Sequence, residues 1–213
     1  MIKFKSYLLL EFIALFWALP LTLAILKPRG WIYITLWVVA LSCVLWMRRN
    51  HYNFKADWNS PVIDRTVIKA ILFQLIPITI AISLFIHFMM PERMFSLPLQ
   101  RPQVWVMVMI LYPLLSVIPQ EIIYRSFFFR RYAPIFKTPR SMIIASALAF
   151  GWVHIVLLNW VAVTFSAIGG FIFASTYSKT RSLGAVCLEH ALYGCMIFTL
   201  GLGYYFYHGQ AVR

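Results

Sequence analysis

Six carboxylates occur in the 213 residues: Glu11, Asp57, Asp64, Glu92, Glu121 and Glu189. Glu121 stands inside the apolar stretch LYPLLSVIPQEIIYRSFFF, four residues before Arg125. That spacing puts both side chains on one face of a helix, and an arginine there keeps a carboxylate ionised in a low-dielectric setting. His154 and His190 lie in similarly apolar stretches, and Phe150 precedes His154 by the same four residues. A carboxylate and two imidazoles support two chemistries. They can hold a zinc ion with a fourth position open for water. Without a metal, the carboxylate can take a proton from water while the imidazoles orient it and stabilise the oxyanion. Both lead to hydrolysis. There is no GxSxG, no HExxH and no phosphate-binding glycine loop, and Ser126 reads as a helix-packing hydroxyl. Taken singly, Glu121 and Arg125 read equally well as an ion pair locking their own helix. Each histidine alone reads as a helix-packing hydrogen bonder. A centre is argued from their agreement in depth.

The elements that set this depth follow from composition. The chain is 62% hydrophobic and 12% charged, against about 25% charged in a soluble domain, and its apolar residues fall in long runs. The pattern predicts an all-α polytopic transmembrane helical bundle of seven spans. These run over 6–26, 31–47, 67–89, 104–129, 141–158, 161–178 and 183–206, with LLNW as the short link between the fifth and sixth. The basic start MIKFK is followed by an apolar region too long for a signal peptide, so it is expected to remain as the first span. Most Lys and Arg fall on one side of the alternation, among them Arg48, Arg49, Lys55, Arg130, Arg131, Lys137, Arg140, Lys179 and Arg181. The other side carries Lys27, Arg29, Arg93, Arg101 and Arg213. That bias predicts a multi-pass protein of the cytoplasmic (inner) membrane with its N-terminus in the cytoplasm. It also accounts for the net charge of +13 without a nucleic-acid partner. At 1.5 Å per residue, Glu121 and His190 lie ~14 Å from the cytoplasmic edge and His154 ~21 Å.

The remaining polar residues receive plainer readings. Glu11 and His87 are near enough to span ends to be interfacial. Glu189 lies about 100° around the helix from His190 and reads as an interhelical hydrogen bonder or a partner of Arg181. Cys43, Cys187 and Cys195 fall in apolar runs and read as small core residues rather than disulfides. The basic, aromatic loop 48–61 is expected on the cytoplasmic membrane surface, and His208 is expected exposed in the tail. The outer loop MMPERMFSLPLQRP is expected to rest at the interface, and neither loop carries site chemistry. Pro113 and Pro119 are expected to loosen the fourth span just before Glu121.

QEIIYR at 120–125, FGWVH at 150–154 and HALYG at 190–194 resemble the three ordered motifs of the CPBP intramembrane proteases. That family comprises the CAAX proteases and bacteriocin-processing enzymes, also called Abi. Its pattern is EExxxR, FxxxH and HxxxN or HxxxD on successive helices. The resemblance covers Val104 to Phe206. It implies N-terminal helices over 1–103, a catalytic helical core over 104–206 and a short tail over 207–213. It further implies an intramembrane endopeptidase cutting a membrane-associated or prenylated-type peptide or protein, with membrane lipids as its surroundings. By the resemblance, Glu121 matches the second glutamate, with Arg125, His154 and His190 as its partners. Zinc on Glu121, His154 and His190 remains open beside a metal-free mechanism. Gln120 stands where the family has its first glutamate, and Gly194 where it has Asn or Asp. Glu121 would then serve as base with Gln120 orienting the water, and Tyr193 or Glu189 would supply a polar group beside His190. The same departures motivate an alternative, a catalytically inactive membrane scaffold or partner-binding protein on this fold. A transporter is disfavoured by the lack of a repeat and of paired interrupted helices.

Overall fold

The computed structural model describes residues 2–26, 32–58 and 65–207. Lys27, Arg29, Asp64, His208, Arg213 and the 59–61 end of the basic loop lie outside the described residues. The expected all-α bundle is observed. Among the described residues, seven helices are long and apolar enough to cross a membrane: Phe4–Leu26, Ile32–Arg49, Arg65–Met89, Pro102–Arg131, Pro139–Leu157, Trp160–Thr180 and Leu183–Leu200. Much of their apolar surface points outward, for example Phe73, Ile76, Ile80 and Phe88 on the third span, as expected for helices solvated by lipid.

Two span ends differ from expectation. The seventh span stops at Leu200 rather than continuing to Phe206. Gly201 ends it at φ 118°, a left-handed conformation that glycine adopts without a Cβ penalty. A separate short helix, Gly203–Tyr207, follows. The α-helical part of the fifth span ends at Val153, and His154 opens a 3₁₀ turn through Leu157. Leu158 then turns left-handed at φ 55°. Asn159 caps the sixth span by accepting from the Ala162 amide at 2.8 Å and ties the turn to the C-terminal helix by donating to Tyr205 O at 2.9 Å. The LLNW link is therefore a real break, with His154 at its edge.

The fourth span is irregular in the way its prolines predict. An α segment over Pro102–Tyr112 gives way to a π-helical turn at Pro113–Val117, a short α turn at Ile118–Glu121 and a second π turn at Ile122–Phe127. Proline has no N–H to return to the preceding turn, and wider turns of this kind recur at functional sites. Here they bracket Glu121.

The core lies around the C-terminal half of this span. Phe12 and Phe16 of the first span pack edge-on against Phe128 and Tyr132 at centroid distances of 5.1–5.8 Å. The fifth and sixth spans cross closely because small residues face each other. A Cβ at Gly151 would lie 2.6 Å from Ala167 Cβ, and one at Gly170 would lie 3.0 Å from the Phe150 ring. Close backbone approach of this kind holds helices together where lipid supplies no hydrophobic drive. Glu11 proves to be more than an interfacial residue. It accepts from Arg131 Nε at 2.8 Å and Nη2 at 2.5 Å, and from Tyr132 OH at 3.1 Å, joining the first span to the end of the fourth. His87 is exposed, beside Phe88.

Candidate active site

Glu121 and Arg125 are both 0% exposed. Arg125 Nε lies 3.0 Å from Glu121 Oε2. The guanidinium also donates from Nη1 to Ser146 Oγ at 2.7 Å and to the Tyr124 carbonyl at 3.2 Å, and it sits 5.1 Å from the Phe150 ring centroid. Ser146 in turn donates to the Tyr124 carbonyl at 2.8 Å. On its other side Glu121 Oε1 lies 2.8 Å from His190 Nδ1. An ionised carboxylate only accepts, so His190 carries its proton on Nδ1. Its Nε2 is 2.9 Å from the hydroxyl of Tyr112. With Nδ1 protonated, neutral imidazole accepts there and the phenol donates. The result is one line, Arg125–Glu121–His190–Tyr112, buried over its first three members and partly exposed at Tyr112, drawn from the fourth and seventh spans.

The other expected members sit around this line. His154 does not touch Glu121. Its Nδ1 lies 2.8 Å from the Phe150 carbonyl, one turn back. The Phe150 ring packs against both imidazoles, at 5.2 Å from His154 and 5.4 Å from His190. Phe173 stacks on His190 at 4.5 Å. His154 thus shares the Phe150 ring with His190, and its own hydrogen bond goes to the backbone where the fifth helix ends. Gln120 turns back along its own helix and donates to Ser116 Oγ at 2.6 Å. Neither Tyr193 nor Glu189 is hydrogen bonded to His190. Tyr193 packs edge-on against Phe173 at 5.8 Å. Glu189 is 0% exposed and makes no ion pair with Arg181, whose guanidinium faces Phe129 and Tyr177 instead. Thr176 approaches Glu189 without closing a hydrogen bond. Gln120 Oε1, Arg125 Nη2, both Glu189 oxygens and Tyr193 OH are buried with no hydrogen-bond partner among the described residues. Buried polar groups ordinarily find a hydrogen-bond partner, so this cluster marks the most polar part of the bundle interior.

Two groups were not singled out by the sequence. One is Tyr112, which looks like any aromatic in an apolar run. The other is Asp57, in the loop expected to lie on the membrane surface. Residues Phe54–Trp58 form a short helix instead, and Asp57 is buried. It accepts hydrogen bonds from Ser126 Oγ and, at 2.7 Å, from Tyr177 OH. Ser126 is therefore a tether for this loop rather than a packing hydroxyl alone. Tyr52 belongs to the same cluster, its phenol pushed up to about 12 by burial and by the Asp57 charge. Its ring lies 4.4 Å below the Arg130 guanidinium. The only sequence signal was an acidic residue inside an otherwise basic loop.

The three candidate metal ligands do not form a zinc site in this arrangement. Among the described residues no group of three or more His, Cys, Asp or Glu side chains is placed to hold a metal. Glu121 is engaged by Arg125 and His190, His190 by Glu121 and Tyr112, and His154 Nδ1 by the Phe150 carbonyl. The three cysteines are free thiols.

Fold and site together define a polytopic helical membrane protein with a carboxylate–imidazole centre buried between its fourth and seventh spans. Residues 102–208 match the family model of the type II CAAX prenyl endopeptidases, Rce1-like. The chain belongs to that family, whose kind of activity is that of a membrane endopeptidase. No curated protein and no solved structure matches the chain.

Proposed function

We propose that the protein is an intramembrane endopeptidase that hydrolyses a peptide bond in a membrane-associated or prenylated-type substrate at the Glu121–His190 pair. We place this site toward the cytoplasmic side of the inner membrane, with the N-terminus in the cytoplasm. The observation that carries the proposal is the buried contact of Glu121 with Arg125 on one side and His190 on the other. A carboxylate bonded to Nδ1–H turns Nε2 outward as the accepting nitrogen, as in hydrolases where a carboxylate orients a histidine base. His190 is then the proton acceptor, and Glu121 is its orienter rather than the base the sequence suggested. His154, with Nδ1 donating to a backbone carbonyl, has Nε2 as an acceptor for the attacking water. Phe150 and Phe173 cover the buried His190 imidazole, and a low-dielectric setting strengthens its bond to Glu121. No step requires a metal.

The protein reconstituted in lipid vesicles should cleave a quenched prenylated-peptide library. Glu121→Ala and His190→Ala should each lower the rate at least about 100-fold. Unchanged cleavage in these variants removes the assignment. A second reading, an inactive scaffold, is favoured by one observation: Gln120 is tied to Ser116 and puts no carboxylate at the site. A folded wild type that cleaves nothing, alongside a Gln120→Glu variant that does, supports that reading.

A further inference from the structure

Gly194 lies one turn after His190 on the seventh span, and its lack of a side chain is matched by a neighbour. A Cβ built on Gly194 would overlap Cε1, Cζ and the hydroxyl oxygen of Tyr112. The phenol thus fills the volume that any larger residue at 194 would need. It delivers its hydroxyl to His190 Nε2 at 2.9 Å, with the two rings edge to face at 5.9 Å. Phe198, one turn further along the seventh span, packs edge-on against the ring at 5.3 Å. Tyr112 is also the last residue before the first π turn, so the wider helix begins where this ring must be aimed. Tyr193, the tyrosine beside Gly194 in sequence, is occupied against Phe173.

We propose that Tyr112 is a catalytic residue, the proton relay between His190 and the reacting groups, in the space left by Gly194. His190 Nε2 is already occupied by the phenol hydroxyl, so a water near the site meets Tyr112 before it meets the imidazole. In the forward step the water proton passes to Tyr112 Oη as the phenol proton passes to His190 Nε2. The hydroxide so formed adds to the substrate carbonyl carbon, and the carbonyl π electrons move onto its oxygen. In the return step the imidazolium gives its Nε2 proton to Tyr112 Oη as the phenol proton moves to the departing amide nitrogen. The C–N bond breaks and the carbonyl re-forms. His190 and Tyr112 end as they began. This assignment rests on the endopeptidase reading above and deepens it.

The test uses the full chain in lipid nanodiscs. Tyr112→Phe keeps the ring and removes the relay. Its kcat on the prenylated peptide should fall about 100-fold with KM within about twofold of wild type. The ¹⁵N resonance of His190 Nε2 should move in the same variant, because the nitrogen loses its donor. Gly194→Asn should lower the melting temperature, and pairing it with Tyr112→Ala should recover part of the loss. A Tyr112→Phe enzyme at wild-type kcat overturns the relay while leaving the endopeptidase in place. An unmoved His190 resonance overturns the contact on which the relay depends. Absence of cleavage by folded wild type removes the endopeptidase reading, and the catalytic assignment of Tyr112 falls with it.

Discussion

Replacing Arg125 with methionine tests whether the centre is held as an ion pair. The guanidinium is fully buried and faces Glu121 Oε2 at 3.0 Å, Ser146 Oγ at 2.7 Å and the Tyr124 carbonyl. Two unit charges about 4 Å apart attract by about 4 kcal/mol at an effective dielectric constant near 20. A hydrogen bond from a charged donor, such as that to Ser146, adds about 1.5–3 kcal/mol. Against this stands the cost of burying the guanidinium, which methionine does not incur. The net loss for Arg125→Met should be about 3–5 kcal/mol, because the substitution leaves Glu121 charged and buried beside only a neutral imidazole. Adding Glu121→Gln removes that charge while its amide oxygen still accepts from His190 Nδ1. The double variant should therefore lose no more than about 1–2 kcal/mol, at least about 1 kcal/mol less than Arg125→Met alone, so the two substitutions are not additive. Reversible unfolding in mixed micelles, followed by tryptophan fluorescence, measures all three differences. A single variant within about 1 kcal/mol of wild type, or a double variant that loses the sum of the two singles, refutes the ion-pair argument.

Three further substitutions read other parts of the frame. Asp57→Asn weakens the bonds from Ser126 and Tyr177 and should release the short helix locally by about 2 kcal/mol. Limited proteolysis around residues 50–58 should quicken while the spans stay protected, and unchanged cleavage there would contradict the tether. Glu11→Gln breaks the partly exposed pair with Arg131 and should cost only about 1 kcal/mol. A loss much beyond that in a micelle unfolding titration would show the pair to be better shielded than its exposure indicates. Gly151→Leu drives a side chain into Ala167, where even a Cβ would be 2.6 Å away. It should lower stability by about 3 kcal/mol or prevent folding, and a thermal melt equal to wild type would disprove the close crossing of the fifth and sixth spans.

Much of the architecture was legible because lipid imposes a simple rule. A chain in hydrocarbon must satisfy its backbone internally, so long apolar runs read directly as helices, and the seven spans follow from that. The i, i+4 spacing of Glu121 and Arg125 likewise implies a shared face whatever surrounds it, and the two are paired. The end of the seventh span was misplaced because GLGYYFY is as apolar as the helix before it. Hydropathy does not register the left-handed turn at Gly201.

What only the tertiary structure decided is which polar groups meet. Depth along a helix can be counted in residues, but azimuth and local helix geometry set contact. His154 shares the apolar setting of His190, yet the fifth helix ends beneath it and its Nδ1 is taken by the Phe150 carbonyl rather than by Glu121. Asp57 reads as an ordinary loop acid until the loop folds inward onto Ser126 and Tyr177. Gly194 taken alone marks a missing side chain. In the bundle its emptiness is the room that Tyr112, from a helix far away in sequence, needs to reach His190.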